Sequence, residues 1–276
     1  MSKNILLPTD FSDNALSAAI YAIKLYEKEP CTFHLLHSSR MKISRMSNIS
    51  NKLIQVLAEN ARRELDHLKA KVTTDYANEN HTFEVILSTN DLQDSIEAIV
   101  EKTKIDLIVI GSRGETKAND IIFGNNTVNV ITHVKKCPVL VVPNDYDFVT
   151  PERIAFPTDF NRVYGDELQP LILLAELNNS NIKVVHINTE DKLSETQKEN
   201  LDTLEVALEN HNPSYHWMPK SDRKAKAIQD FNEEFHINIL VMVNYQHSFI
   251  ESIIKEPVIK TLGFHPNIPF LVIPQK

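Results

Sequence analysis

Apolar residues in this chain fall into short unbroken runs separated by longer stretches with a helical period. In the first half the runs at 4–8, 32–37, 82–87, 106–111 and 138–142 read as strands. They are mostly continuous Val/Ile/Leu, the pattern of parallel strands covered on both faces. Between them, Ala15, Leu16, Ala19 and Ile23 share one helix face, as do Leu53, Leu57, Ala61, Leu65, Leu68 and Val72. Shorter helices are expected near 91–103 and 124–135. The alternation βαβα predicts a right-handed, parallel α/β sandwich.

The pattern is then written a second time. Ile5-Leu-Leu-Pro-Thr-Asp-Phe11 returns as Ile154-Ala-Phe-Pro-Thr-Asp-Phe160, and Phe33-His-Leu-Leu-His37 as Ile182-Lys-Val-Val-His186. Asp106-Leu-Ile-Val-Ile110 is echoed by Asn238-Ile-Leu-Val-Met242, and Pro138-Val-Leu-Val-Val-Pro143 by Pro269-Phe-Leu-Val-Ile-Pro274. Four landmarks in one order mark a tandem duplication. The later copies are closer together than the earlier ones, so the second copy has lost residues between its second and third strands. The polar stretch Asn144–Pro151 is the natural linker, which sets domains at 1–144 and 150–276.

Composition narrows the function classes. With 276 residues, 42% hydrophobic and 24% charged, the chain can bury two ordinary cores. A net charge of −8 argues against duplex nucleic acid, which needs a basic face. One bound nucleotide is still allowed, because backbone N–H groups can carry an anion. Two cysteines, Cys31 and Cys137, make neither a disulfide framework nor a zinc site. No apolar run approaches the ~20 residues of a membrane span, and the start of the chain has no signal-peptide core. The expectation is a cytoplasmic protein.

Chemistry points to the end of the fourth run. Three of the five glycines, Gly111, Gly114 and Gly124, follow it closely. Glycine serves where backbone approaches something closely or takes a positive φ. Ligands of open parallel sheets bind beyond the carboxyl ends of strands, where the strand order reverses. Asp10, ending the first strand, would then face the same crevice. It can accept a hydrogen bond from ribose or adenine, or it can simply brace the turn before a helix. The amides of 111–114 and 124–127 would take the phosphates, with Arg113 and Lys117 at hand. The basic segment Arg40–Met46 reads as a solvated loop, or as a lid. Neither GxxxxGK[S/T] nor GxGxxG is present.

Gly111-Ser-Arg-Gly114, nine residues, then Gly124 resembles the G-x2-G-x9-G-[S/T] motif of ATP-binding universal stress proteins. The opening Leu-Pro-Thr-Asp-Phe and closing Cys-Pro-Val-Leu-Val-Val-Pro blocks resemble that family too, over nearly the whole chain. The resemblance implies an adenine nucleotide alpha hydrolase-like fold: two tandem open-twisted five-stranded parallel sheets flanked by helices, strand order 3-2-1-4-5. It implies pairing through the fifth strands, so that the two copies form an internal pseudo-dimer, with a homodimer left open. Asp10 matches the family's acidic residue near the nucleoside, and Ser38 a position whose backbone contacts adenine. Gly111, Gly114 and Gly124 match the phosphate loop. Asn125 departs from the pattern by standing at the Ser/Thr position, with Thr127 two residues on as a substitute hydroxyl. ATP is the implied ligand, with ADP or AMP as alternatives.

The second copy lacks the motif. Val243 replaces Gly111, Gln246 replaces Gly114, and no glycine stands near Lys255-Glu256-Pro257. A β-branched residue blocks close phosphate approach, so this half is expected to bind no nucleotide in the family manner. His37 and His186 recur at strand ends, which suggests a shared packing or hydrogen-bond role. Cys137 reads as a buried, inert thiol. The first copy is thus expected to act as a nucleotide-binding regulatory module of the stress response, with protein partners unknown. The competing readings are a slow ATPase, with Mg²⁺ bridging the phosphates and no Walker lysine or evident base, and a scaffold that binds no nucleotide.

Overall fold

The structure is a computed structural model, and it describes residues 2–39, 51–113, 123–187, 192–219, 224–245 and 267–275. Two compact units meet in sequence between Asp145 and Tyr146.

In the first unit, β1 (Lys3–Pro8), β2 (Cys31–Ser38), β3 (His81–Ser88), β4 (Leu107–Gly111) and β5 (Val139–Val142) alternate with four helices. These are α1 (Asp13–Leu25), α2 (Asn51–Asp75), α3 (Leu92–Thr103) and α4 (Asn125–His133). All strand pairs are parallel, in the order β3-β2-β1-β4-β5. The order reverses between β1 and β4, where Ile5 and Leu6 pair with Leu107 and Ile108. The strands are buried because helices cover both faces. Ile5, Leu6, Phe33, Leu35, Leu36, Ile108 and Leu140 have no access to water.

The second unit repeats the plan. Its strands are β6 (Arg153–Pro157), β7 (Asn181–Ile187), β8 (Ser214–Met218), β9 (Ile239–Asn244) and β10 (Phe270–Pro274). Its helices are α5 (Gln169–Asn178), α6 (Glu195–Leu208) and α7 (Lys224–Glu234). The order β8-β7-β6-β9-β10 is the same 3-2-1-4-5. No described helix is long and apolar enough to cross a membrane.

The expected face of α2 holds only in its second half. Leu65 and Val72 are buried, whereas Leu53 and Leu57 are 48% and 46% exposed. A helix of 25 residues is about 37 Å long at ~1.5 Å per residue. The eight-residue strands beside it reach about 26 Å at ~3.3 Å per residue. The first turns of α2 therefore overrun the sheet.

Candidate functional site

Both units build the same turn after their first strand. Thr9 Oγ1 accepts the Phe11 amide at 3.0 Å, and Thr158 Oγ1 accepts the Phe160 amide at 3.0 Å. Phe11 and Phe160 adopt left-handed backbone, φ 66° and 55°, uncommon for a bulky residue. The rings compensate by stacking on histidine. Phe11 lies 4.5 Å from His37 and Phe160 4.8 Å from His186, and each histidine donates Nδ1–H to the carbonyl of Thr9 or Thr158 at 2.9 Å. The repeated histidines thus brace the turn that carries the aspartate.

Asp10 Oδ1 accepts both the amide of Ser12, at 3.1 Å, and its hydroxyl, at 2.6 Å. Ser12 caps α1, its Oγ accepting from the Ala15 amide. One carboxylate oxygen of Asp10 is therefore committed to the turn.

Gly111 ends β4 and is gripped from two helices. On one side the Thr127 hydroxyl of α4 donates to the Gly111 carbonyl at 2.9 Å. On the other, the Asn14 carboxamide of α1 occupies the space of the missing side chain. A Cβ built on Gly111 would lie 2.7 Å from Asn14 Nδ2 and 2.8 Å from its Cγ. Asn14 Nδ2 donates to the Arg113 carbonyl, while Oδ1 is buried without a hydrogen-bond partner. The close approach that Gly111 permits in this structure is to Asn14.

Several expectations change accordingly. Gly124 has φ −64° and ψ 155°, a conformation open to any residue, so a positive φ is not its purpose. Its amide donates to the Ser112 carbonyl, and the Ser112 amide to Val142, both at 2.8 Å. These two amides are used inside the fold. Thr127 is 2% exposed and its hydroxyl is committed to Gly111, so it is no substitute for the Ser/Thr that Asn125 displaces. Asn125 is exposed at the first position of α4, and the N-cap residue, Gly124, has no side chain with which to cap the helix. Gly114, Lys117, Arg40–Met46, Gln246 and Lys255–Pro257 lie outside the described residues.

A cavity of about 370 Å³ opens beside the first turn of α4. Ser38 from the end of β2, Asp91 and Gln93 at the start of α3, and Asn126 and Asn129 of α4 line it. Ser38 donates its hydroxyl to the Asn90 carbonyl at 2.7 Å. Asp91 caps α3 by accepting the Asp94 amide at 3.0 Å. Asp10 and Gly111 are not on its wall. Sequence reasoning found Ser38 but missed Gln93, Asn126 and Asn129. Their signal was position: first and second turns of helices that follow carboxyl ends of strands.

The second unit fills the equivalent place with side chains. Val243 stands buried at the Gly111 position, and Tyr245, two residues on, donates its hydroxyl to Asp159 Oδ1 at 3.1 Å. The Arg162 guanidinium lies 5.4 and 5.1 Å from the ring centroids of Tyr164 and Tyr245 and pairs with Glu167 at 2.5 Å. Burial, reinforced by the Asp159 carboxylate, pushes the Tyr245 phenol well above its ordinary range. Burial pushes Tyr164 up to about 12.

Comparison with known proteins agrees with this architecture. A sequence model of the Universal stress protein family matches residues 1–143. Universal stress protein Slr1230 of Synechocystis sp. is 27% identical over 277 residues, covering 91% of this chain and 93% of that protein. Universal stress protein MJ0577 of Methanocaldococcus jannaschii is 28% identical over 162 residues, covering 51% of this chain and 95% of its own. The crystal structure of a universal stress protein from Archaeoglobus fulgidus superposes with a TM-score of 0.71 at 19% identity, over 100% of this chain and 97% of the other. The 3-2-1-4-5 sheets, the turn after the first strand and the family match over more than half its length make this chain a member of the universal stress protein family.

Proposed function

We propose that the first unit binds an adenine nucleotide, ATP or its ADP and AMP relatives, and that the bound state alters contact with a protein partner. The observation that carries this reading is the first turn of α4, whose N-cap Gly124 has no side chain to cap it, beside a polar cavity at the carboxyl side of the sheet. Free N–H groups and the positive end of the helix dipole favour an anion there. The phosphates take the amides of Asn125–Thr127, with Arg113 nearby and Gly124 leaving the approach to them free of a side chain. At about 370 Å³ the cavity is at the small end of ligand sites, which run roughly 300–1,000 Å³. The carboxamides of Gln93, Asn126 and Asn129 offer both donors and acceptors to a nucleoside, and Ser38 presents its backbone. Asp10 Oδ1 is committed to its turn, so Asp10 holds the turn beneath the nucleoside and is the less direct of the proposed contacts. The second unit, filled by Tyr245 and Arg162, binds none. Two buried free thiols, Cys31 and Cys137, suit the reducing cytoplasm.

Mass spectrometry of small molecules released on denaturing the purified protein tests the reading, together with a melting assay. At a ligand concentration ~100 times Kd the stabilisation is about 2.7 kcal/mol. Absence of any adenylate and no shift at millimolar ATP, ADP or AMP overturn it. A scaffold without nucleotide is the second reading. It is favoured by the internal use of the Ser112 and Gly124 amides and of the Thr127 hydroxyl, and it gives that negative result.

A further inference from the structure

We propose that Asn14 is the positioning residue of the loop leaving β4: its carboxamide, held against Gly111, clamps the Arg113 carbonyl and thereby sets the affinity of the site. The second half of this statement rests on the nucleotide reading above.

Asn14 is 5% exposed on α1, in line with the buried Ala18, Tyr21, Ala22 and Leu25 of the same helix. A carboxamide on an apolar face needs partners for both ends. Asn14 has one: Nδ2 donates to the Arg113 carbonyl, while Oδ1 is stripped of water with nothing to accept from. Stability alone does not call for this arrangement. An alanine at 14 with an alanine at 111 would fill about the same volume and remove the unsatisfied Asn14 Oδ1, giving up only the hydrogen bond to the Arg113 carbonyl. What that apolar pair cannot do is hold Arg113. Among the described residues, Ser112 is fastened by its amide to Val142 and by its carbonyl to Gly124. Asn14 is the side chain that reaches Arg113 from α1.

The duplicated unit supplies an independent observation. At the position aligned with Gly111 it carries Val243, and at the position that the sequence repeat aligns with Asn14 it carries Val163, which is 58% exposed and precedes the helix rather than lying on it. The glycine and the asparagine are lost together. In their absence the residue aligned with Arg113, Tyr245, turns back onto Asp159. Where the clamp is missing, the aligned residue is thus tied to the first-strand turn by its own side chain.

The test uses three full-length variants. Asn14→Asp keeps the shape but cannot donate. Asn14→Ala removes both shape and donor. Asn14→Ala with Gly111→Ala restores packing without the clamp or a new charge, and serves if the single variant does not fold. Hydrogen exchange of the ligand-free proteins should accelerate at least tenfold at the Ser112 and Gly124 amides, with the β2 amides unchanged. Kd for ATP, from melting shifts, should rise at least fivefold. Unchanged exchange overturns the clamp. Faster exchange with unchanged Kd reduces Asn14 to a brace and overturns its role in affinity. If the wild-type protein shows no shift with ATP, the nucleotide reading falls and the affinity claim with it, while exchange still decides whether Asn14 holds the loop.

Discussion

Asn14 and Gly111 form a lock-and-space pair: the carboxamide of one sits where the side chain of the other would be, 2.7 Å from a notional Cβ. Real Cβ atoms do not approach so closely, and the Gly111 backbone is held in register with Val142 of β5 and by the Thr127 hydroxyl. Gly111→Ala should therefore destabilise the first unit by about 1–3 kcal/mol, the usual cost of overpacking. In an Asn14→Ala background the added methyl group enters vacated space, and the same change should cost less than ~0.5 kcal/mol. The resulting coupling of about 1 kcal/mol or more is a double-mutant cycle read from urea unfolding. Additive effects would mean that the backbone yields instead.

The strands were legible because most are nearly continuous apolar runs, as strands covered on both faces require, with polar residues such as His34 and Glu84 the exceptions. Lys3–Pro8, Cys31–Ser38 and His81–Ser88 each begin one residue before the run that announced them. Periodicity failed at Leu53 and Leu57 because a period reports which residues share a face, not whether anything lies beneath it. The site was half legible. Gly111 was singled out as a place of close approach, and the structure sets the Asn14 carboxamide against it. Asn14 carried a signal that went unread: it stands four residues before Ala18 on the buried stripe, where a polar side chain demands an explanation. Tyr245 carried none, since a tyrosine just beyond a strand does not reveal which carboxylate it will reach.

Tyr245 and Asp159 yield a second expectation. The phenol donates to a carboxylate at 3.1 Å, and a hydrogen bond to a charged group contributes roughly 1.5–3 kcal/mol. Tyr245→Phe should lower the urea midpoint of the second unit by a corresponding amount. Arg162 would keep Glu167 and the ring of Tyr164. Equilibrium dialysis should still find one adenylate per chain in both proteins. Two per chain in the wild type would show that the filled crevice opens to ligand.

Phe160 and Phe11 occupy equivalent turns but differ in burial, since Phe160 is buried and Phe11 only half-buried. Phe160 also leans on Trp217, 5.8 Å away. Truncating a buried phenylalanine costs about 3–5 kcal/mol, so Phe160→Ala should unfold the second unit at low urea. Phe11→Ala should cost roughly half as much, because part of its surface already meets water. Tryptophan fluorescence of Trp217 reports the second unit and far-ultraviolet dichroism reports both. Equal losses would show that the stack on histidine, which the two share, outweighs burial.

Acid should weaken the fold before the carboxylates titrate. His34 and His186 are both buried, and burial lowers the pKa of each. The Glu84 carboxylate opposes the shift for His34, and the Thr158 carbonyl opposes it for His186. A free histidine titrates near ~6.5, so as pH falls the unfolded chain takes up these protons before the folded one. Stability is then complete above about 6.5 and declines below it, by at most about 1.4 kcal/mol per pH unit for each histidine. The urea midpoint should fall between pH 7 and pH 5 in the wild type. With His34→Gln and His186→Gln combined it should start lower at pH 7, because the contacts to Asn4 and Thr158 are remade imperfectly, and then fall less. A decline as steep in the variant as in the wild type would assign the acid sensitivity to other groups.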